Sequence, residues 1–377
     1  MSDTRLSLKD ARRIVVKVGT STLTHGETGK LNLARMERLI RELADLMNQG
    51  KEVILVSSGA IAAGLGHLGL PKKPDTIPEK QALAAIGQGI LMHIYEKLFA
   101  EYGKTMAQVL LTKENAMRHH QYLNSRNALL ALLKMGAVPV VNENDVVSID
   151  EIRIGDNDNL SAIVSTLTDA DALILLTDID GLYTGNPKTD PNARLLSEIT
   201  EITPEIELMA GGAGSGLGTG GMQTKLQAAK IAVSAGVMMV IAPGERENVI
   251  RSVLDGDEIG TFFPAKESHL KVRKSWLAFG RQLSGEILVD DGCMKAMMER
   301  GSSLLAAGIL AVEGEFQKGS TVRVLSKNGR EIARGIVNYD SEKLKRIIGH
   351  STHEFSTLLD GEIHEEVIHR DNMVLMA

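Results

Sequence analysis

The sequence predicts an α/β protein: a mostly parallel β-sheet in an αβα sandwich, followed by a small β-rich domain. Three observations carry this expectation. Between Ile14 and Phe263, short apolar runs alternate with stretches of helical period, the pattern of strands buried on both faces and joined by helices. Turns of small polar residues follow several of those runs directly, as at Gly19-Thr20-Ser21 and Ser57-Ser58-Gly59. Then the composition shifts: Lys266 to Arg281 holds five bases and one acid, and from Gly285 onward short strands and turns replace the alternation.

A chain of 377 residues is too long for one ordinary core. The expected division is 1–265, a linker over 266–283, and a second domain over 284–377. Hydrophobic residues make up 43% and charged residues 24%, a normal soluble mixture. The net charge of -6 gives no electrostatic footprint for bulk nucleic-acid binding. Cys293 is the only cysteine, which excludes an intrachain disulfide and fits a reducing compartment. Met1 to Arg13 lacks the apolar core of a signal peptide, and no apolar run approaches membrane-spanning length. The expected location is cytoplasmic.

Taken in order, Ile14 to Val18 is an apolar strand interrupted by Lys17. A lysine within a strand is costly unless its head reaches water or an anion. With Gly19-Thr20-Ser21 beside it, Lys17 reads as part of an anion cradle, or else as an edge-strand lysine. Leu33, Met36, Leu39, Ile40, Leu43, Leu46 and Met47 repeat at three and four, so a helix follows, ended by Gly50. Val53 to Val56 is a strand that runs through Ser58 and Gly59 into a small-residue helix, whose N-terminus suits a carboxylate or phosphate. Helices are expected over Pro78 to Ala100 and Gln121 to Met135, and strands over Met106 to Leu111 and Val138 to Val141. In such sheets ligands sit beyond the carboxyl ends of the strands. Lys17, Ser58 and Asn142 to Asp145 all fall there.

The stretch from Asn142 to Ser161 is the densest in chemistry. Its twenty residues hold six carboxylates, four asparagines and one base, Arg153. It leaves a strand and enters a helix over Leu160 to Leu167, where Asp156 or Asn157 can cap. The alternation of Asn and Asp points to a site for the ammonium group of a small molecule, or for a metal-bound phosphate. A strand at Ala172 to Leu176 then ends in Thr177 and Asp178. Tyr183 beyond it can stack a base or simply pack in a turn.

Gly211 to Gly221 is glycine-rich, and Met222-Gln223-Thr224-Lys225 opens a helix directly after it. Gly216, Gly218 and Gly221 match G-x-G-x-x-G, but no strand immediately precedes them, so the dinucleotide fingerprint is not met. A Walker A motif is also absent, because Gly103-Lys104-Thr105 has Leu98 where its first glycine belongs. A glycine loop followed by a helix N-terminus and a lysine suits a nucleotide phosphate that is covered after binding. Val237 to Ile241 is the next strand, Arg246 to Leu254 a helix, and Gly260 to Phe263 a short strand. In the tail, strands are expected at Ile287 to Val289, Ile309 to Val312, Val322 to Leu325 and Ile332 to Val337. Helical pieces are expected at Asp291 to Arg300 and Ser341 to Ile348.

These motifs together resemble the amino acid kinase superfamily, in its branch that phosphorylates L-glutamate for proline biosynthesis. The resemblance rests on Val15-Val-Lys-Val-Gly-Thr-Ser21, Ser57-Ser-Gly-Ala-Ile-Ala-Ala-Gly64 and Val141-Asn-Glu-Asn-Asp145. To these are added Gly155-Asp-Asn-Asp-Asn-Leu-Ser-Ala162, Thr177-Asp-x-x-Gly-Leu-Tyr-Thr184 and Ser215-Gly-Leu-Gly-Thr-Gly-Gly-Met-x-Thr-Lys225. The tail, from Val289-Asp-Asp-Gly292 to Glu299-Arg-Gly-Ser-Ser-Leu-Leu305, resembles a PUA domain. Small departures are Asn186, where Asp is frequent, and Ser57, where Thr is.

The resemblance implies transfer of a phosphoryl group from ATP, with Mg²⁺, to the γ-carboxylate of L-glutamate. By matched motif, Lys17 and Lys225 hold the phosphates, and Asp158 orients those lysines or helps place magnesium. Ser58, Gly59, Asn142, Asp145, Asp156 and Asn157 bind glutamate. Thr177, Asp178 and the run Thr219, Gly220, Gly221, Met222, Gln223, Thr224 and Lys225 line the nucleotide site. Also implied are inhibition by proline, an assembly of two or four copies, and a glutamyl phosphate reductase that takes the labile product. Competing expectations are acetylglutamate, aspartate, carbamate or a nucleoside monophosphate as acceptor, or an RNA-binding role for the tail. Residues 284–377 hold 15 acids against 11 bases, which argues against RNA.

Overall fold

The computed structural model describes residues 3–70, 72–112, 119–147, 157–187, 189–210, 220–265, 283–360 and 364–375. The chain divides into two compact units, Met1–Glu267 and Ser268–Ala377. The expected linker over 266–283 lies almost wholly outside the described residues.

The first unit is built on seven strands: β1 (Arg13–Val18), β2 (Glu52–Ser57), β3 (Met106–Leu111), β4 (Val138–Glu143), β5 (Ala172–Thr177), β6 (Met238–Pro243) and β7 (Thr261–Phe263). Their order in the sheet is β3-β4-β2-β1-β5-β6-β7. Every neighbouring pair is parallel except β6 and β7. The connections carry helices: α1 (Leu33–Asn48), α2 (Ala60–Leu68), α3 (Ile77–Glu101), α4 (His119–Lys134), α5 (Asn157–Leu167) and α6 (Gly220–Ser234) between parallel strands, and α7 (Val249–Leu254) between the antiparallel β6 and β7. Side chains alternate across a strand, so each face of the sheet builds its own core. Ile14, Val16 and Val18 join one core with α1, α3 and α7. Val15 joins the other, with α4, α5 and α6. The αβα sandwich is therefore present as expected.

Lys17 follows the same period onto the Val15 side. It is not on an edge: β1 is flanked by β2 and β5, and Lys17 stands opposite Val56 and Leu175. An edge position would let its ammonium turn to water, and the central position does not.

Two helices touch backbone to backbone. A Cβ on Gly87 of α3 would lie 1.7 Å from the carbonyl oxygen of Ala60, and one on Gly64 of α2 would lie 2.3 Å from that of Leu83. Only glycine allows this crossing, which holds the start of α2 against the middle of α3.

The helix expected from Arg246 begins later, at Val249. Asn248 takes a left-handed conformation (φ 53°), and Glu42 of α1 accepts from the Ile250 N–H at 3.1 Å. The start is thus set by a carboxylate two hundred residues away in sequence. Burial pushes the Glu42 carboxyl up, while the backbone N–H groups of Ile250, Arg251 and Asn248 pull it back.

The second unit is a five-stranded sheet of order β12-β11-β10-β8-β9. Its strands are β8 (Gly285–Val289), β9 (Ile309–Glu313), β10 (Thr321–Leu325), β11 (Glu331–Ile336) and β12 (Met373–Leu375), with helices α8 (Asp291–Arg300) and α9 (Ser341–Ile347). The unit has its own core, centred on Ile287, Val322, Tyr339 and Phe355. β12 was not expected: three residues are too few to show a period, and only pairing with β11 makes them a strand. Each unit has a separate core, so a chain ending near Lys266 is expected to fold and to retain activity. A soluble, folded truncation without activity would overturn this.

Candidate active site

β1, β2, β4 and β5 end on one side of the sheet, and three helices begin there. α2 starts at Ala60, α5 at Asn157 and α6 at Gly220. Gly59 enters α2 with φ 99°, a conformation that a side chain strains. The free N–H groups of such helix starts favour anions. Between them opens a cleft of about 790 Å³, lined by Lys17, Ser58, Gly59, Asn142, Asp145, Asn157, Asp158, Thr177, Asp178, Gly221, Thr224 and Lys225, among others. Residues far apart in the sequence therefore meet in one place.

The cleft has two halves, joined at one peptide. Asn157 and Asp158 are the first residues of α5, and consecutive helical side chains point about 100° apart. Asp158 faces the lysines. Its Oδ1 lies 2.6 Å from Lys17 Nζ and its Oδ2 lies 3.3 Å from Lys225 Nζ. The Thr224 hydroxyl donates to Oδ2 at 2.7 Å, and Lys225 Nζ also donates to the Gly221 carbonyl at 3.0 Å. All four side chains are buried. Burial by itself would raise the Asp158 carboxyl, but the two ammonium groups and these hydrogen bonds hold it below the usual carboxylate range.

Asn157 faces the other way. Its Nδ2 donates to Ser58 Oγ at 2.8 Å, to Asn142 Oδ1 at 3.1 Å and to the Ser57 carbonyl at 3.2 Å. It therefore stands inside the helix and does not cap it. Asn157 Oδ1 is buried and finds no hydrogen-bond partner among the described residues. Asp145 sits on the loop after β4, half-buried; burial pushes its carboxyl up, against the pull of Lys73.

Several expected residues fall elsewhere. Met222 is part of the α6 core and Gln223 is exposed, and neither lines the cleft. Gly220 opens α6. Asp156, Thr219 and the glycine segment through Gly218 lie outside the described residues. Tyr183 donates its hydroxyl to Asp180 at 3.1 Å, which fits a turn residue. Lys72 and Lys73 also line the cleft. In the sequence they carry no signal, because two lysines between Pro71 and Pro74 look like an ordinary solvated turn. Among the described residues no group of three or more His, Cys, Asp or Glu side chains is placed to hold a metal ion.

The sequence pattern of the amino acid kinase family matches residues 12–242, and that of the PUA domain matches residues 285–359. The chain belongs to the amino acid kinase family. It is similar along nearly its whole length to proteins named glutamate 5-kinase. That of Moorella thermoacetica is 54% identical, over 99% of this chain and 98% of its own. That of Carboxydothermus hydrogenoformans is 54% identical, over 98% of this chain and 99% of its own. Among solved structures the chain is similar to UMP kinase from Bacillus anthracis, at 15% identity and a TM-score of 0.47, covering 68% of this chain and 97% of that one. No helix among the described residues is long and apolar enough to cross a membrane.

Proposed function

We propose that the protein transfers the terminal phosphoryl group of ATP to the γ-carboxylate of L-glutamate, releasing ADP and L-glutamyl 5-phosphate, the first step of proline biosynthesis. The observation that carries this is Asp158 held between Lys17 and Lys225 where α5 and α6 begin. A carboxylate nucleophile has a pKa near 4 and is already ionised at neutral pH, so no general base is required. The difficulty is bringing an anion to a polyanion. Two buried ammonium groups, fixed in direction by one carboxylate, supply positive charge where charge develops during transfer, with no reorganisation.

Of the two roles expected for Asp158, orientation of the lysines is the supported one. Each of its oxygens faces an ammonium group. A divalent cation at the same oxygens would sit beside both ammonium groups and be repelled by them. Mg²⁺ is instead assigned to the nucleotide substrate, carried on the ATP phosphates and neutralising their charge.

The amino-acid end of glutamate is assigned to the Ser58, Gly59, Asn142, Asp145 and Asn157 half, with Asp156 beside it in sequence. Asn157 Oδ1 is an acceptor in need of a donor. Asp145 is a carboxylate whose burial disfavours its charge, so a bound ammonium stabilises it. Proline carries the same α-carboxylate and a cationic nitrogen but no γ-carboxylate. It is assigned to the same groups as an inhibitor. Asp145→Asn is expected to raise the KM for glutamate by about tenfold, the scale of one charge-assisted hydrogen bond. It is expected to weaken proline inhibition in parallel. A change in one response with the other at its wild-type value would separate the two sites. The reaction itself is tested by trapping the acyl phosphate with hydroxylamine: product that depends on ATP and L-glutamate supports it, and product only with acetylglutamate, aspartate or carbamate overturns it.

A further inference from the structure

The long helix α3 supplies no residue to the cleft lining, yet two of its buried side chains reach the amino-acid half: Gln88 ends on a residue of it and Tyr95 on the neighbour of another. Gln88 Oε1 accepts from Asn142 Nδ2 at 2.7 Å. Two turns further on, the Tyr95 hydroxyl lies 2.8 Å from Ser57 Oγ, next to Ser58. The glycine crossing at Gly87, one residue before Gln88, brings the helix close enough for both contacts.

The hydrogen bonds form a directed chain. The Glu143 backbone N–H donates to Asn142 Oδ1 at 2.8 Å, so that atom is the oxygen and the Asn142 amide group must donate the other way. Gln88 is the acceptor it meets. Asn142 Oδ1 in turn accepts from Asn157 Nδ2, which also donates to the Ser57 carbonyl. Asn157 is left with Oδ1 as its unspent acceptor. Asn142 is only 2% exposed, so without Gln88 its amide hydrogens would be buried and unsatisfied. The side chain would turn to find another acceptor and release Asn157.

We propose that Gln88 is a positioning residue for the acceptor substrate: through Asn142 it holds Asn157 with its free oxygen set for a donor on the bound amino acid. This rests on the assignment of the Asn142–Asn157 half to that substrate. The lysine half shares none of these bonds, so the effect is confined to one of the two substrates.

The test compares Gln88→Met, which keeps length and removes the acceptor, with Gln88→Glu, which keeps an acceptor oxygen. Gln88 Nε2 has no partner among the described residues, so Gln88→Glu loses no hydrogen bond. Full-length protein is assayed by hydroxamate formation, with L-glutamate and ATP varied in turn. Gln88→Met is expected to raise the KM for glutamate about tenfold, with the KM for ATP within about twofold. Gln88→Glu is expected to recover most of that loss. A merely structural role would raise both KM values or leave Gln88→Glu as impaired as Gln88→Met. Either result, or an unchanged glutamate KM in Gln88→Met, overturns the proposal. Should Gln88→Met not fold, Gln88→Ala carries the same expectation. If the wild-type protein gives product only with another acceptor, the glutamate assignment fails by itself, and the same comparison is made with that acceptor.

Discussion

Replacing Lys225 with alanine is expected to lower kcat by about 10²-fold or more, the scale of losing one preorganised contact to transition-state charge. Lys225 begins the second turn of α6 and its ammonium is held by Asp158 and the Gly221 carbonyl. That geometry fixes where the charge sits before any substrate binds. The fold is expected to survive, because Asp158 keeps Lys17 at 2.6 Å and the Thr224 hydroxyl at 2.7 Å. The opposite deletion behaves differently. Asp158→Ala leaves two buried ammonium groups facing each other and is expected to destabilise by about 3 kcal/mol, in the range for an uncompensated buried charge. Thermal unfolding beside steady-state kinetics separates the cases: Lys225→Ala should lose rate and not stability, and Asp158→Ala should lose both. A Lys225→Ala enzyme with wild-type kcat would reject the role.

Gly87→Ala is the second large effect, and it acts through packing. The added methyl would meet the Ala60 carbonyl oxygen at 1.7 Å and the Gly64 nitrogen at 2.4 Å. Both are backbone atoms, so neither can rotate away, and the helices must separate. Overpacking of this kind costs about 1–3 kcal/mol where side chains can adjust, and a backbone clash belongs at the upper end. The first unit should lose about 6–12 °C of its unfolding temperature, given a few degrees per kcal/mol for a domain of this size. Displacing α3 also moves Gln88 and Tyr95, so residual activity should show a raised KM for glutamate. Gly89, two residues on, has nothing within 4 Å of its would-be Cβ and is the control: Gly89→Ala should be neutral or slightly stabilising. Equal behaviour of the two variants would refute the close crossing.

The sequence by itself determined the sandwich, because strand and helix periods differ and each apolar run between Ile14 and Phe263 carries its own. It also determined which residues could meet, since in a parallel sheet everything just after a strand lies on one side. Lys17, Ser58 and Asn142 to Asp145 are placed together by that rule alone, and the acidic stretch marks itself by its density of Asn and Asp.

What only the tertiary structure decided are the relations that have no period. Lys17 could have been an edge lysine until β2 and β5 were found on either side of it. Asn157 could have been a helix cap until its amide was found turned to Ser58 and Asn142. Gln88 carried no signal, because a glutamine in a long helix is ordinary and its partner is 54 residues away. The start of α7 has no local signal, because a carboxylate from α1 sets it. Local sequence encodes backbone conformation and which face is buried. The direction of a buried amide or carboxylate depends on which distant donors reach it, and that is settled only when the elements pack.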